Sequence, residues 1–108
     1  MGWVSLCQLD ELREGEGRYV EVGGFKLAVF LDQGAAYAID NRCPHAGGSL
    51  SGGPVQDGHA VCPWHYWMFN LKNGQMKNQP LVKVMAYRTR LLEREGKPAL
   101  VQADLPIY

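Results

Sequence analysis

Two short stretches decide how this chain is read: Cys43-Pro44-His45 and Cys62-Pro63-Trp64-His65. Each offers one thiol and one imidazole, in the same order, and each cysteine is followed by proline. Sixteen residues separate His45 from Cys62. Proline holds its own φ near about −65°, so both segments read as stiffened loops. A single Cys-x-His arises often by chance. Two such pairs, both with proline after cysteine and both in loop sequence, have no packing explanation and point to metal.

The duplicated order carries information about the kind of metal. Two loops that each present Cys first and His second can lie side by side, with sulfurs at one end and nitrogens at the other. That suits a binuclear centre with two unlike irons, a [2Fe–2S] cluster. A single tetrahedral zinc can also use two Cys and two His, but its usual spacing pairs Cys with Cys and His with His. Gly47, Gly48 and Ser49 follow the first pair. They offer backbone N–H groups with little steric obstruction, of the kind that stabilise cluster sulfur and tune its potential.

Outward from these loops the sequence reads as short strands. Tyr19–Val22 meets a turn at Gly23-Gly24, Phe25–Leu31 is an apolar strand, and Ala35–Ile39 follows a turn at Gly34. At most one helical turn fits between Asp10 and Glu16. Asn41–Pro54 holds four glycines and two prolines and reads as loop. Asp57-Gly58 separates Val55-Gln56 from His59–Val61, and Asn73-Gly74 follows a strand over Trp67–Leu71; both pairs are two-residue hairpin signals. Tyr87–Leu92 alternates, turns at Glu95-Gly96 and returns over Ala99–Gln102, and the tail from Ala103 reads as extended. The expectation is one all-β domain of eight to ten strands over residues 1–108. A loop-rich insert at about 41–71 is set into a base formed by 1–40 and 72–108.

Composition narrows the function classes. The chain has 108 residues, 11 basic and 11 acidic side chains and zero formal net charge, which argues against nucleic acid as a partner. The balance hides a dipole: residues 1–40 carry three basic and seven acidic groups, residues 41–108 eight and four. No apolar run approaches the roughly 18 residues of a membrane-spanning helix, and the start lacks a signal-peptide pattern. The expected location is the cytoplasm, with no membrane partner. Cys7 stands apart from the paired motifs and reads as a small buried hydrophobe. His59, at a hairpin, reads as a solvated surface residue. Trp67 and Phe69 read as core, by strand alternation with Met68, and Trp64 as a shield over the metal or part of a docking face.

The four ligand candidates and their spacing resemble the Rieske family signature, Cys-x-His and then Cys-x-x-His. Gly53-Pro54-Val55, Asn70 and Gly74 agree with that resemblance. It implies a Rieske-like antiparallel β-sandwich base domain and a small loop-rich cluster-binding subdomain, with Cys43, His45, Cys62 and His65 as cofactor and metal ligands of a [2Fe–2S] cluster. The high-potential branch of the family joins its ligand loops by a disulfide, whose cysteines would fall at Gly48 and Trp64. It also places hydroxyl donors where Trp67 and Phe69 stand. The chain is therefore similar to the soluble, low-potential ferredoxins, and also to small subunits of nitrite reductases. The resemblance implies a non-catalytic one-electron carrier. Its donor would be a flavoprotein or other reductase, and its acceptor an oxygenase or nitrite reductase-type enzyme. Alternatives are a small subunit of an enzyme complex and a zinc-stabilised interaction module. One departure stands out: many relatives have glycine directly after the second histidine, where this chain has Tyr66.

Overall fold

Strand β3 (Phe25–Asp32) organises the molecule. Its run Leu27-Ala28-Val29-Phe30 is entirely buried, which a strand achieves only when both faces of its sheet are covered. In the computed structural model, which describes residues 2–44, 47–64 and 66–106, β3 sits inside the middle of three antiparallel sheets. Alternation sends Leu27 and Val29 into one core and Ala28 and Phe30 into the other.

The middle sheet has the order β10-β4-β3-β2, where β2 is Gly17–Val22, β4 is Ala35–Asp40 and β10 is Ala86–Tyr87. On one side lies a sheet of β1 (Gly2–Gln8), β12 (Lys97–Leu105) and β11 (Thr89–Arg94), with β12 in the centre. Val101, Ala103 and Leu105 of β12 meet Leu27, Val29 and Ala38 there, and Cys7 joins them. On the other side is a five-stranded sheet ordered β5-β6-β7-β8-β9. Its strands are Val55–Gln56, His59–Val61, Met68–Asn70, Gln75–Met76 and Gln79–Lys83. Phe69 and Ala60 from this sheet pack with Phe30, Ile39 and Leu50 in the second core. Burying a side chain such as Phe30 or Phe69 stabilises the fold by roughly 1.5–3 kcal/mol.

The described residues form twelve strands rather than eight to ten. Two of the unforeseen strands are β1 and β9. The turns at Gly23-Gly24, Gln33-Gly34 and Asp57-Gly58 have positive φ at both central residues, as tight hairpins require. Asn73-Gly74 behaves differently from its two-residue expectation. The Asn70 carboxamide oxygen accepts from the amides of Lys72 and Asn73 (2.8 and 3.3 Å), and the Gly74 amide donates to the Asn70 carbonyl at 2.7 Å. The connection is thus a wider turn nucleated by the Asn70 side chain. Between Asp10 and Glu16 the expected helical turn lies slightly earlier, as a 3-10 turn over Leu9–Glu11. No described helix is long and apolar enough to cross a membrane.

Candidate metal centre

The first loop leaves β4 at Asp40 and is fastened on itself at both ends. Cys43 donates its amide to the Gly48 carbonyl at 2.8 Å, and Leu50 donates to the Asn41 carbonyl at 2.7 Å. The Asn41 side chain ties the far side: its Nδ2 donates to Ser49 Oγ at 3.0 Å, and its Oδ1 accepts from the Ser51 amide at 2.9 Å. Asn41 is therefore a positioning residue that the ligand pattern alone does not reveal. The available signal was an amide side chain two residues before the candidate ligand Cys43, at the mouth of a glycine-rich loop.

The glycines after the first motif divide their work. Gly47 has φ of +73° and donates its amide to the Cys43 carbonyl at 2.8 Å, so this amide is already engaged. That corrects the expectation that it faces cluster sulfur. Gly48 is buried, and its amide has no acceptor among the described residues. Buried amides are seldom left so. A Cβ at Gly48 would stand 2.8 Å from Cys62 Sγ and 3.4 Å from the Trp64 indole. Glycine is what lets the two loops close on each other.

The second loop is held from both sides of Cys62. The Cys62 amide donates to the Trp67 carbonyl at 2.7 Å, and the Cys62 carbonyl accepts from the Tyr66 amide at 3.1 Å. Closing this turn puts Tyr66 at φ of 60°, in the left-handed region. The chain thus keeps the backbone that glycine would favour and places a tyrosine in it. Tyr66 is 76% exposed. Trp64 is about half exposed, with one face of its indole over Gly48. Gly53 admits the loop against β6, since a Cβ there would lie 1.8 Å from the Val61 carbonyl oxygen.

Cys43 and Cys62 are both fully buried and belong to the same core, with Phe69, Leu50 and Ala60. No disulfide joins any of the three cysteines. The partners expected of the two cysteines, His45 and His65, lie outside the described residues. Phe69 is fully buried, and Trp67 packs partly buried against the same core. Cys7 is set in the other core. Burial, and then the nearby Glu11 carboxylate, push its thiol up to about 11, Arg18 opposing. The His59 ring stays in its own hairpin, with Nδ1 at 2.7 Å from the Asp57 carbonyl oxygen. Two thiols buried in one apolar core, beside a buried amide with no acceptor among the described residues, fit a sulfur-bridged iron cluster. They supply anionic ligands and a donor for sulfide, in surroundings of low dielectric.

A family model described as the Rieske [2Fe–2S] domain matches residues 2–90. The ferredoxin component of the alkene monooxygenase system of Xanthobacter autotrophicus is 31% identical over 103 residues, covering 94% of this chain and 82% of that one. Apoptosis-inducing factor 3 of Mus musculus is 34% identical over 77 residues, or 71% of this chain, yet the match spans only 13% of its own length. The fold matches a structure described as the nitrite reductase small subunit of Mycobacterium tuberculosis with a TM-score of 0.84 and 26% identity, over 98% of this chain and 97% of that one.

Proposed function

This chain belongs to the Rieske [2Fe–2S] domain family, its cofactor is a [2Fe–2S] cluster, and we propose that it is a one-electron carrier in which Cys43, His45, Cys62 and His65 hold that cluster. The observation that carries this reading is the closure of the two loops, with Gly48 of one against Cys62 Sγ of the other. When bound, the cluster supplies reversible one-electron redox chemistry. The chain's own residues supply the rest. Cys43 and Cys62 would hold one iron as thiolates from inside the apolar core, and His45 and His65 would hold the other. The Gly48 amide, with no acceptor among the described residues, would be available to donate to cluster sulfur. Phe69, Leu50 and Ala60 exclude water from the thiolate side. We take the cluster-binding part as about 41–71, set in a base of 1–40 and 72–108.

The carrier passes electrons from a flavoprotein or other reductase to an oxygenase or a nitrite reductase-type enzyme and catalyses nothing by itself. Similarity to a ferredoxin component over 82% of that component's length supports the free-carrier reading. The likeness to a nitrite reductase small subunit favours a second reading, a subunit bound permanently to a larger enzyme. Potentiometric titration of the pure chain, followed by visible absorbance, tests the proposal. Neither Trp67 nor Phe69 carries a hydroxyl to stabilise the reduced cluster, so the expected result is a one-electron wave at roughly −150 to 0 mV, the low part of the family's range. A midpoint near the top of that range would refute the low-potential assignment. Absence of any reversible wave would refute the carrier.

A further inference from the structure

Pro44, between the two residues of the first motif, forms part of the wall of an open groove of about 530 Å³. Three cations line the same groove: Lys26 from β3, Arg42 from the loop after β4, and Lys83 from the end of β9. None of them is ion-paired among the described residues, where the ion pairs are Arg18–Glu11 and Arg88–Asp104. The groove's one carboxylate, Asp40, offsets one of these three charges and leaves an excess of two. It accepts from the Tyr87 hydroxyl at 2.8 Å and from the Met85 amide at 3.4 Å.

Apolar surface adjoins these charges. Met85, in the groove wall, is 56% exposed. Three like charges facing one groove repel each other, and an occupant bearing carboxylates relieves that repulsion while covering Met85. A polyphosphate backbone fits less well, since the chain as a whole has no net positive charge.

We propose that this groove docks an acidic segment, bearing an apolar side chain, of the protein with which the chain exchanges electrons; the inference rests on the electron-carrier reading above. Docking there seats the partner beside Pro44, next to the cluster loop. Lys26, Arg42 and Lys83 steer the approach, and Met85 supplies the apolar contact.

The test uses the cluster-loaded chain and a short fluorescein-labelled peptide of glutamates flanking one leucine, read by fluorescence anisotropy at low and high salt. The unmodified chain should bind it, more weakly as salt rises. The double variant Lys26→Glu/Lys83→Glu should weaken binding by roughly tenfold or more at low salt. The charge-matched variant Lys72→Glu/Lys97→Glu, exposed and outside the groove, should change it by less than about threefold. No binding by the unmodified chain, or equal weakening in both double variants, would overturn the docking site. Iron content and visible absorbance on the same samples separate the two claims. A chain that loads its cluster but binds the peptide without site preference sinks the groove alone, whereas a chain that loads no cluster sinks the carrier.

Discussion

Replacing Tyr66 by glycine should stabilise the protein, although a side chain is removed. Tyr66 stands at φ of 60°, where an L-residue is less stable than in its ordinary basins by about 1–2 kcal/mol. Glycine removes that strain. Against this, glycine loosens the unfolded chain, which costs about 0.4–1 kcal/mol. The ring is 76% exposed, so little burial is lost, and the net gain is about 0.5–1 kcal/mol. For a domain near this size that corresponds to a rise in Tm of roughly 2–8 °C. Tyr66→Ala is the control, because alanine retains a Cβ at the same backbone angle. Thermal unfolding of the cluster-loaded proteins, followed by circular dichroism, should rank Gly above both Tyr and Ala. A glycine variant no more stable than the alanine variant would refute the strain argument.

Two further predictions concern packing and titration. Gly48→Ala puts a Cβ 2.8 Å from Cys62 Sγ and should weaken cluster retention about 10–100-fold, measured as iron remaining after challenge with a chelator. Gly52→Ala, in open space, should retain iron like the unmodified protein, and equal loss in both would refute the close-approach argument. Cys7 titrates at about 11 against an ordinary 9.0, so the folded state holds this proton more tightly than the unfolded one. Its contribution is complete below pH 9.0 and declines as pH rises toward about 11. Denaturation midpoints should therefore fall more steeply through that window in the unmodified protein than in Cys7→Ala; parallel curves would refute it. Burial, and then the hydrogen bond to Asp40, also raise the Tyr87 phenol, but that effect is common to both proteins.

Much of the fold was legible because its signals are local. Gly23-Gly24 and Asp57-Gly58 announce turns through residues that tolerate positive φ, and the unbroken apolar run in β3 announces a strand. Strand β1 was missed because Trp3-Val4-Ser5-Leu6-Cys7 has no hairpin partner nearby: it pairs with β12 from the other end of the chain. Strand β9 was missed because Pro80 interrupts it and Leu81 faces solvent, which leaves neither donor pattern nor hydrophobic alternation to read. At the candidate site, spacing and residue type singled out Cys43 and Cys62, which the fold buries in one core. The staple from Asn41 could not, because it depends on where Ser49 and Ser51 come to lie. Nor could the sequence show that Gly47 and Gly48, adjacent and alike, have different amide roles: that follows from the closed geometry around Cys43. The consequence of Tyr66 was half visible, as a residue standing where a glycine is usual. Its backbone angle and its exposed ring came from the fold.

The central claim is that two cysteines buried in the second core, with two histidines, hold a [2Fe–2S] cluster. The most direct measurement is iron, zinc and acid-labile sulfide in anaerobically purified protein, together with the EPR spectrum after dithionite reduction, for the unmodified chain, Cys43→Ser and Cys7→Ser. The account predicts iron and sulfide in equal amounts and the low average g value of histidine-ligated clusters. Both features should vanish in Cys43→Ser and persist in Cys7→Ser. Stoichiometric zinc without iron or sulfide, or a Cys7→Ser protein bleached as fully as Cys43→Ser, would contradict it.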